Sequence, residues 1–425
     1  MYTYEDYLKG RKVYQESGVQ LLLEMKHACL FYKAGKGKTY PTVEALREVW
    51  KMKGDRIKVL ILSTADSVKN MWNTDIVPQK ILPSNTVILS FNSAIVESRA
   101  ADLMRVKWDV IIVDECHKAK SHNSKTSKLL YKLCKTAEYV WGLSGTPRAN
   151  SDVDIYCQFH NMWISDWGYV NYTRFVDECC NINQMYLRGQ CVKVPIGIND
   201  KYRLGFEKNV AKYSQRIDYD ESDNMPDIKV TTVELPYVRS KEYNNALEGV
   251  IMIPDYETTM TKLVAIMKLQ QICNGYLYTP DGIFRLANNS KCDWLRENLT
   301  DEPTVIVYRF EADLQDICKT LDDMNVSHTE DVENFKQGFS DVLLLECARC
   351  ESFNLQMCQR MIFYTMDYSY IKYDQMIHRI WRMGQTEDVE ITVLIHSDSE
   401  EVHIWNTVRN KETAADLFMR TKGIM

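Results

Sequence analysis

Short, largely apolar runs recur along the chain. They fall at Val59–Leu62, Thr86–Phe91, Val110–Val113 and Tyr139–Leu143, then at Thr304–Tyr308, Val342–Leu345, Met361–Tyr364 and Val389–Ile395. A strand that is apolar on both faces is covered on both faces, which predicts parallel strands sandwiched by helices. Helical spacing of apolar residues lies between the runs, at Ser67–Ile76 and Thr126–Cys134, and later at Ala312–Met324 and Tyr373–Arg382. A strand at Ala28–Tyr32 follows a short amphipathic helix that begins near Arg11. The next helix, Lys38–Lys53, gathers Val43, Leu46, Val49 and Trp50 on one face. Pro41 sits in its first turn, where a missing N–H is harmless, and Gly54 stops it. Strand–helix alternation of this kind predicts an α/β fold with a doubly wound parallel sheet, and the pattern occurs twice.

Between the two occurrences the rhythm breaks. Asp152 to Met225 is rich in Tyr, Asn, Cys and Trp, and is expected to form a helical extension of the first domain. Asp218–Asp227, with five acids and Pro226, is the expected linker. The predicted domains are therefore 1–225, with its helical extension from about 152, and 226–425. The second is expected to open with a helical insertion reaching about residue 290, containing a strand at Ile228–Leu235 and a long helix at Glu257–Tyr278.

At 425 residues the chain exceeds what one core serves, which agrees with two domains. No apolar run is long enough to span a bilayer, and Met1–Lys12 is mixed and charged. The expectation is a protein of the cytoplasm without membrane contact. Thirteen scattered cysteines fit a reducing compartment. Cys347 and Cys350 form one Cys-x-x-Cys without a second pair, so structural thiols are expected rather than zinc. A net charge of −6 excludes a generally basic nucleic-acid binder, so any such contact must come from a local basic track.

The candidate chemistry starts at Phe31–Thr39. Gly35 and Gly37 let the backbone form a nest whose N–H groups point at phosphate oxygens, with Lys36 between them. Lys38 can reach the β- and γ-phosphates of a nucleotide, and the Thr39 hydroxyl can hold Mg²⁺. The usual first glycine of such a loop is here Tyr32. The strand Val110–Val113 delivers Asp114, placed to hold Mg²⁺ through water, and Glu115, placed to polarise the attacking water. Arg379 and Arg382, three residues apart on a predicted helix, are expected on one face. Guanidinium groups there would stabilise charge on a transferred γ-phosphoryl group.

With these residues in view, the chain resembles the Swi/Snf branch of the superfamily 2 helicase-like ATPases, the double-stranded-DNA translocases. Asp114-Glu115-Cys116-His117 is a variant of the family's Asp-Glu-x-His box. Tyr14-Gln15-x-x-Gly18-Val19 is similar to its adenine-side segment, which makes Gln15 the expected base reader. Leu143-Ser144-Gly145-Thr146-Pro147 followed by Asn150 resembles its coupling motif, and Leu269–Asn274 the helix ahead of its second lobe. Gln375-x-x-x-Arg379-x-x-Arg382-x-Gly384-Gln385 is similar to its last motif. The resemblance implies two RecA-like lobes with the nucleotide in the interlobe cleft, ATP and Mg²⁺ as cofactors, and His117, Ser144, Thr146 and Gln375 in coupling. It also implies phosphate-backbone contacts to duplex DNA, with Ser63, Thr64, Ser90, Asn92, Lys118, Lys120, Arg148, Arg309, Arg349 and Asn354 as candidates. One departure stands out: where the family carries glycines ahead of an Asn-Leu, this chain reads Cys347-Ala-Arg-Cys-Glu-Ser-Phe-Asn354-Leu355.

The expected function is a DNA-dependent ATPase that translocates on double-stranded DNA and remodels bound protein or DNA structures. A strand-separating or annealing helicase, and an ATP-gated DNA clamp with little turnover, are the alternatives. A monomer recruited by a protein partner is expected, a minimal viral or bacterial member acting at the nucleoid or in a host cytoplasm.

Overall fold

The structure is a computed structural model that describes residues 3–148, 151–165, 171–187, 190–220, 225–254, 256–259, 262–288, 290–348, 355–382 and 385–420. The chain divides into two compact units, Met1–Asp223 and Asn224–Met425.

The strands of the first unit are β1 (His27–Tyr32), β2 (Val59–Ser63), β3 (Thr86–Ser90), β4 (Val110–Asp114), β5 (Tyr139–Leu143), β6 (Cys180–Leu187), β7 (Gln190–Ile198) and β8 (Ser214–Ile217). Six of them form one sheet in the order β3-β2-β4-β5-β1-β8, and every pairing is parallel. Every residue of β2, β4 and β5 is buried. Successive residues serve opposite faces. Leu60, Leu62, Ile111 and Val113 pack with the helices Lys125–Cys134 and Asp152–Asn161, while Val59, Ile61, Val110 and Ile112 pack with Val13–Met25 and Thr39–Lys53. This two-sided demand is why the strands read as unbroken apolar runs.

The strand order decides what meets at the carboxyl edge. β4 lies between β2 and β5, and β5 lies between β4 and β1. The loops after β1, β2, β4 and β5 therefore emerge side by side.

The expected helical extension is only partly helical. Helices Asp152–Asn161, Tyr172–Cys179 and Asp200–Tyr213 are joined by the antiparallel hairpin β6–β7, and β8 extends the main sheet by pairing with β1. β8 reads Ser-Gln-Arg-Ile and is half-buried throughout. An edge strand of this kind is defined by backbone bonds to its neighbour, which leave no apolar signature.

The second unit holds β9 (Ile228–Leu235), β10 (Val250–Ile253), β11 (Tyr256–Thr259), β12 (Tyr276–Thr279), β13 (Gly282–Arg285), β14 (Thr304–Tyr308), β15 (His328–Thr329), β16 (Val342–Glu346), β17 (Arg360–Phe363) and β18 (Val389–His396). Its sheet runs β15-β16-β14-β17-β18-β9, again wholly parallel. The expected helical insertion is mixed. Hairpins β10–β11 and β12–β13 flank a helix, Lys262–Cys273, that is shorter than the sequence pattern suggests. Gly275, at φ +87°, turns the chain out of that helix, and a Cβ there would lie 2.2 Å from the Asn288 carbonyl oxygen. Among the described residues no helix is long and apolar enough to cross a membrane, and no cluster of His, Cys, Asp and Glu is arranged to hold a metal.

Candidate active site

The loop after β1 turns through Gly35 (φ +83°) and Gly37 (φ +70°) before Thr39 begins its helix. Lys36 closes this turn: its N–H donates to the Lys33 carbonyl at 3.1 Å. Its side chain is 2% exposed, and its Nζ lies 3.8 Å from Asp220 Oδ2 and 5.6 Å from the Tyr14 ring centre. The Lys36 ammonium is thus directed inward. Gln15 is buried and braces the same loop, with Nε2 donating to the carbonyls of Lys36 (3.3 Å) and Gly37 (3.2 Å). Its Oε1 accepts from Lys12 N at 2.9 Å. One end of the carboxamide thus braces the loop, and the other caps the start of its own helix, Val13–Met25.

Lys38 reaches across to the acidic box after β4, placing Nζ 3.3 Å from Glu115 Oε1. Glu115 itself adopts φ +53° and ψ +50°, a left-handed conformation costly for a residue with a Cβ. Strain of that kind persists where several partners hold a residue, and here they do. His117 Nδ1 lies 3.2 Å from both Glu115 Oε2 and Ser144 Oγ, and Ser144 Oγ accepts from Thr146 N at 3.1 Å. Lys38, Glu115, His117, Ser144 and Thr146 therefore form one connected chain from the glycine loop to the loop after β5. The Thr146 Oγ1 atom is buried with no hydrogen-bond partner among the described residues.

Asp114 is 2% exposed. Its Oδ2 accepts from Ser63 Oγ at 2.8 Å and from Trp72 Nε1 at 3.2 Å, and its Oδ1 accepts from Glu115 N at 3.1 Å. Trp72 arrives on a widened π-helical stretch, Val68–Ile76. Burial, then the neighbouring Glu115 anion, push the Asp114 carboxyl above its ordinary range, against the pull of Lys38, Ser63 and Trp72. Burial acts on Glu115 in the same direction, but Lys38 and His117 outweigh it and hold that carboxyl low. Among the described residues Thr39 Oγ1 donates only to Met71 Sδ, at 3.6 Å, a weak acceptor that leaves the hydroxyl oxygen open to another ligand. Hydroxyl and carboxylate oxygens beside an ammonium suit a hard cation and the phosphates it bridges, so the residues fit Mg²⁺ and a nucleoside triphosphate.

The other candidates are dispersed. Ser63 is fully buried against Asp114, which corrects its assignment to DNA. Arg148 is also used internally: Nη2 lies 2.8 Å from both Glu207 carboxylate oxygens, and Nε lies 3.4 Å from Asp152. It ties the helices Asp152–Asn161 and Asp200–Tyr213 together instead of facing a phosphate. Thr64 and Ser90 each cap a short helix, accepting from Ser67 N and Ser93 N. Lys118 and Asn92 are exposed and Lys120 is half-buried.

In the second unit, Arg309 donates to Gln270 Oε1 at 2.5 Å, and Gln270 Nε2 in turn to the Met366 carbonyl at 3.0 Å. Arg349 and Asn354 lie outside the described residues, as do Asn150 and Gly384. The last motif's helix is Tyr370–Ile380, capped by Ser369 and left at Trp381 (φ −95°, ψ +95°). Arg382 is therefore beyond the helix end, which corrects the one-face argument for the two arginines. Arg379 Nε donates to the Gln375 carbonyl at 3.1 Å, and both guanidinium-bearing residues are half-buried. Buried Gln385 fastens the exit, donating to the carbonyls of Cys358 (3.2 Å) and Ile380 (3.4 Å) and accepting from Thr386 N (3.0 Å).

Residues 78–172, which include the acidic box and the Ser144 loop, match the SNF2-related domain family. Over those residues the chain is similar to SNF2-related proteins. The chain is 23% identical over 432 residues to a Bacillus subtilis protein described as the uncharacterized ATP-dependent helicase YqhH, covering 90% of the chain and 74% of the relative. It is 22% identical over 450 residues to the Drosophila melanogaster SWI/SNF-related matrix-associated actin-dependent regulator of chromatin subfamily A-like protein 1. That match covers 94% of the chain but 54% of the fly protein, so the chain spans about half the fly relative's length. Among solved structures, the Sulfolobus solfataricus SWI2/SNF2 ATPase core in complex with dsDNA aligns over 91% of the chain and 87% of its own, with a TM-score of 0.42 and 17% identity.

Sequence reasoning missed Trp72 and assigned Ser63 to DNA, because both act on Asp114 across more than forty residues of chain. A signal was available for Ser63 alone: it ends a fully apolar strand beside the one that carries Asp114.

Proposed function

We propose that this chain hydrolyses ATP in response to duplex DNA and uses the cycle to move along the duplex, remodelling what is bound there. The observation that carries the reading is the connected chain Lys38–Glu115–His117–Ser144–Thr146. A nucleotide-binding lysine, a water-activating acid and the loop after β5 are joined through single contacts, so a shift of that loop reaches the acid directly.

Bound ATP would supply the phosphoryl group, and Mg²⁺ the positive charge that offsets its oxygens. With nucleotide bound, Lys38 would leave Glu115 to meet the terminal phosphates, and Thr39 with Asp114 would hold the cation. Released from Lys38, Glu115 takes the proton of the attacking water, while His117 keeps its carboxylate oriented. Arg379 and Arg382 would offer guanidinium groups to the charge that develops on the transferred group. Lys118, Lys120 and Arg309 are the remaining described basic candidates for the DNA backbone.

The test is ATP hydrolysis without DNA, with single strands and with duplex, for the native chain and for Lys38→Ala. Duplex-stimulated turnover that falls to background in Lys38→Ala is expected, together with ATP-dependent displacement of a third strand from a triplex. Hydrolysis indifferent to DNA, or surviving in Lys38→Ala, refutes the reading. Stimulation by single strands alone favours strand separation.

A further inference from the structure

Between His117 and Thr136 the chain carries six lysines and no acid, within a protein of net charge −6. The helix Lys125–Cys134 orders this segment. Its Leu129, Leu130, Leu133 and Cys134 are buried against the sheet, while Lys125, Lys128, Lys132 and the C-cap Lys135 are all exposed. Their spacing of three, four and three residues makes one stripe along the helix.

Several features set this stripe apart from an ordinary solvated face. Lysines at these spacings repel one another, and Lys125 and Lys128 stand in the first turn, where the helix dipole disfavours cations. Among the described residues, Lys125, Lys128 and Lys132 make no ion pair. By contrast, Lys51 on the helix Thr39–Lys53 is paired with Glu48 at 2.6 Å. Lys135 is held at the far end, its Nζ 5.5 Å from the ring centre of the partly exposed Trp163. An anion laid along the helix would relieve this repulsion.

We propose that the stripe is a contact for the phosphate backbone of duplex DNA, on the flank of the first unit. The helix crosses over between the parallel strands β4 and β5, so it leads away from the loops at their carboxyl ends. From Lys125 to Lys135 it rises about 15 Å, a length over which one strand of a duplex presents about four phosphates. Lysine rather than arginine suits contact with a backbone without fixed geometry. The exposed Ser121 and Asn123 ahead of the helix are donors of the kind that bond phosphate and sugar oxygens. The helix turns its apolar residues inward, so its outer face lacks the anchors a protein partner buries.

The inference rests on the duplex-dependent reading above and adds a second contact area to it. The experiment measures binding of the full chain to a fluorescent DNA duplex by anisotropy across a salt series. It compares the native chain with a fourfold Lys→Gln variant at 125, 128, 132 and 135 and with the fourfold Lys→Arg variant. Melting curves check that both fold. The Gln variant is expected to bind more weakly, with a log–log salt slope shallower by about 3.6; its deficit then shrinks about 150-fold between about 50 and 200 mM salt. The Arg variant should keep the native slope. A well-folded Gln variant with native affinity and slope overturns the stripe while leaving the duplex reading standing, whereas a native chain that does not bind duplex overturns both. If the Gln variant binds duplex normally but loses binding to a polyglutamate peptide, the face is a protein contact and the proposal is wrong.

Discussion

Replacing Ser63 by Ala separates two readings of one residue. Sequence position made Ser63 a candidate for the DNA backbone, whereas the structure buries its hydroxyl 2.8 Å from Asp114 Oδ2. A hydrogen bond to an ionised carboxylate contributes about 1.5–3 kcal/mol when both groups are buried. Asp114 keeps only Trp72 on that oxygen in the variant, and its ionised form is weakened by that amount, equivalent to about 1–2 pH units. Burial already pushes this carboxyl up, so the change adds to an existing shift. Asp114 holds a cation only when ionised, and a higher folded value means ionisation is lost at a higher pH as the pH falls. The expected results are a Mg²⁺ half-saturation raised about 10–100-fold and an acidic limb of hydrolysis moved up by about 1–2 units. Two assays check this: Mg²⁺ titration of a fluorescent ATP analogue's binding, and the pH profile of turnover with duplex at saturation. Native Mg²⁺ and pH behaviour, combined with a weakened response to DNA, would refute the argument and return Ser63 to the DNA surface.

Two further substitutions probe buried contacts, one in each unit. Glu401 is buried between Lys291 (2.5 Å) and His396 (Nδ1 at 2.8 Å); burial raises its carboxyl, but the two partners outweigh it and bring it down to about 2. A depressed carboxyl stabilises the fold above its ordinary value of 4.5, and that contribution is lost as the pH falls from there towards about 2. Glu401→Gln strands the Lys291 ammonium, so a loss of about 3–5 kcal/mol is expected in chemical denaturation, and a variant as stable as the native chain contradicts the pairing. Gly18→Ala would set a Cβ 2.2 Å from the Tyr32 hydroxyl and 2.8 Å from Gln215 Oε1. Pushing this helix off β1 should cost about 1–3 kcal/mol and weaken binding of the ATP analogue, since the helix also carries Gln15; an unchanged melting curve speaks against that close contact.

The twelve strands of the two sheets were legible to different degrees, and the physical reason is burial. β2, β4, β5 and β14 are covered on both faces, so their apolar runs announce them. The motif residues were legible because each lies in a short local pattern: Gly35 to Thr39, Asp114 to His117, Ser144 to Thr146. The hairpin β6–β7 and the edge strand β8 were not, since pairing between backbones defines them and side-chain hydrophobicity does not. The same limit governs the site. Sequence alone named Lys38, Glu115, His117 and Ser144; only the order β4-β5-β1 within the sheet joined them into one chain of contacts. Ser63 became a support for Asp114, Gln15 a brace for the glycine loop and Arg148 an internal clamp. Arg382 moved off the helix that seemed to carry it. Local spacing states which groups a segment offers; which group receives them depends on partners tens of residues away, brought there by the fold.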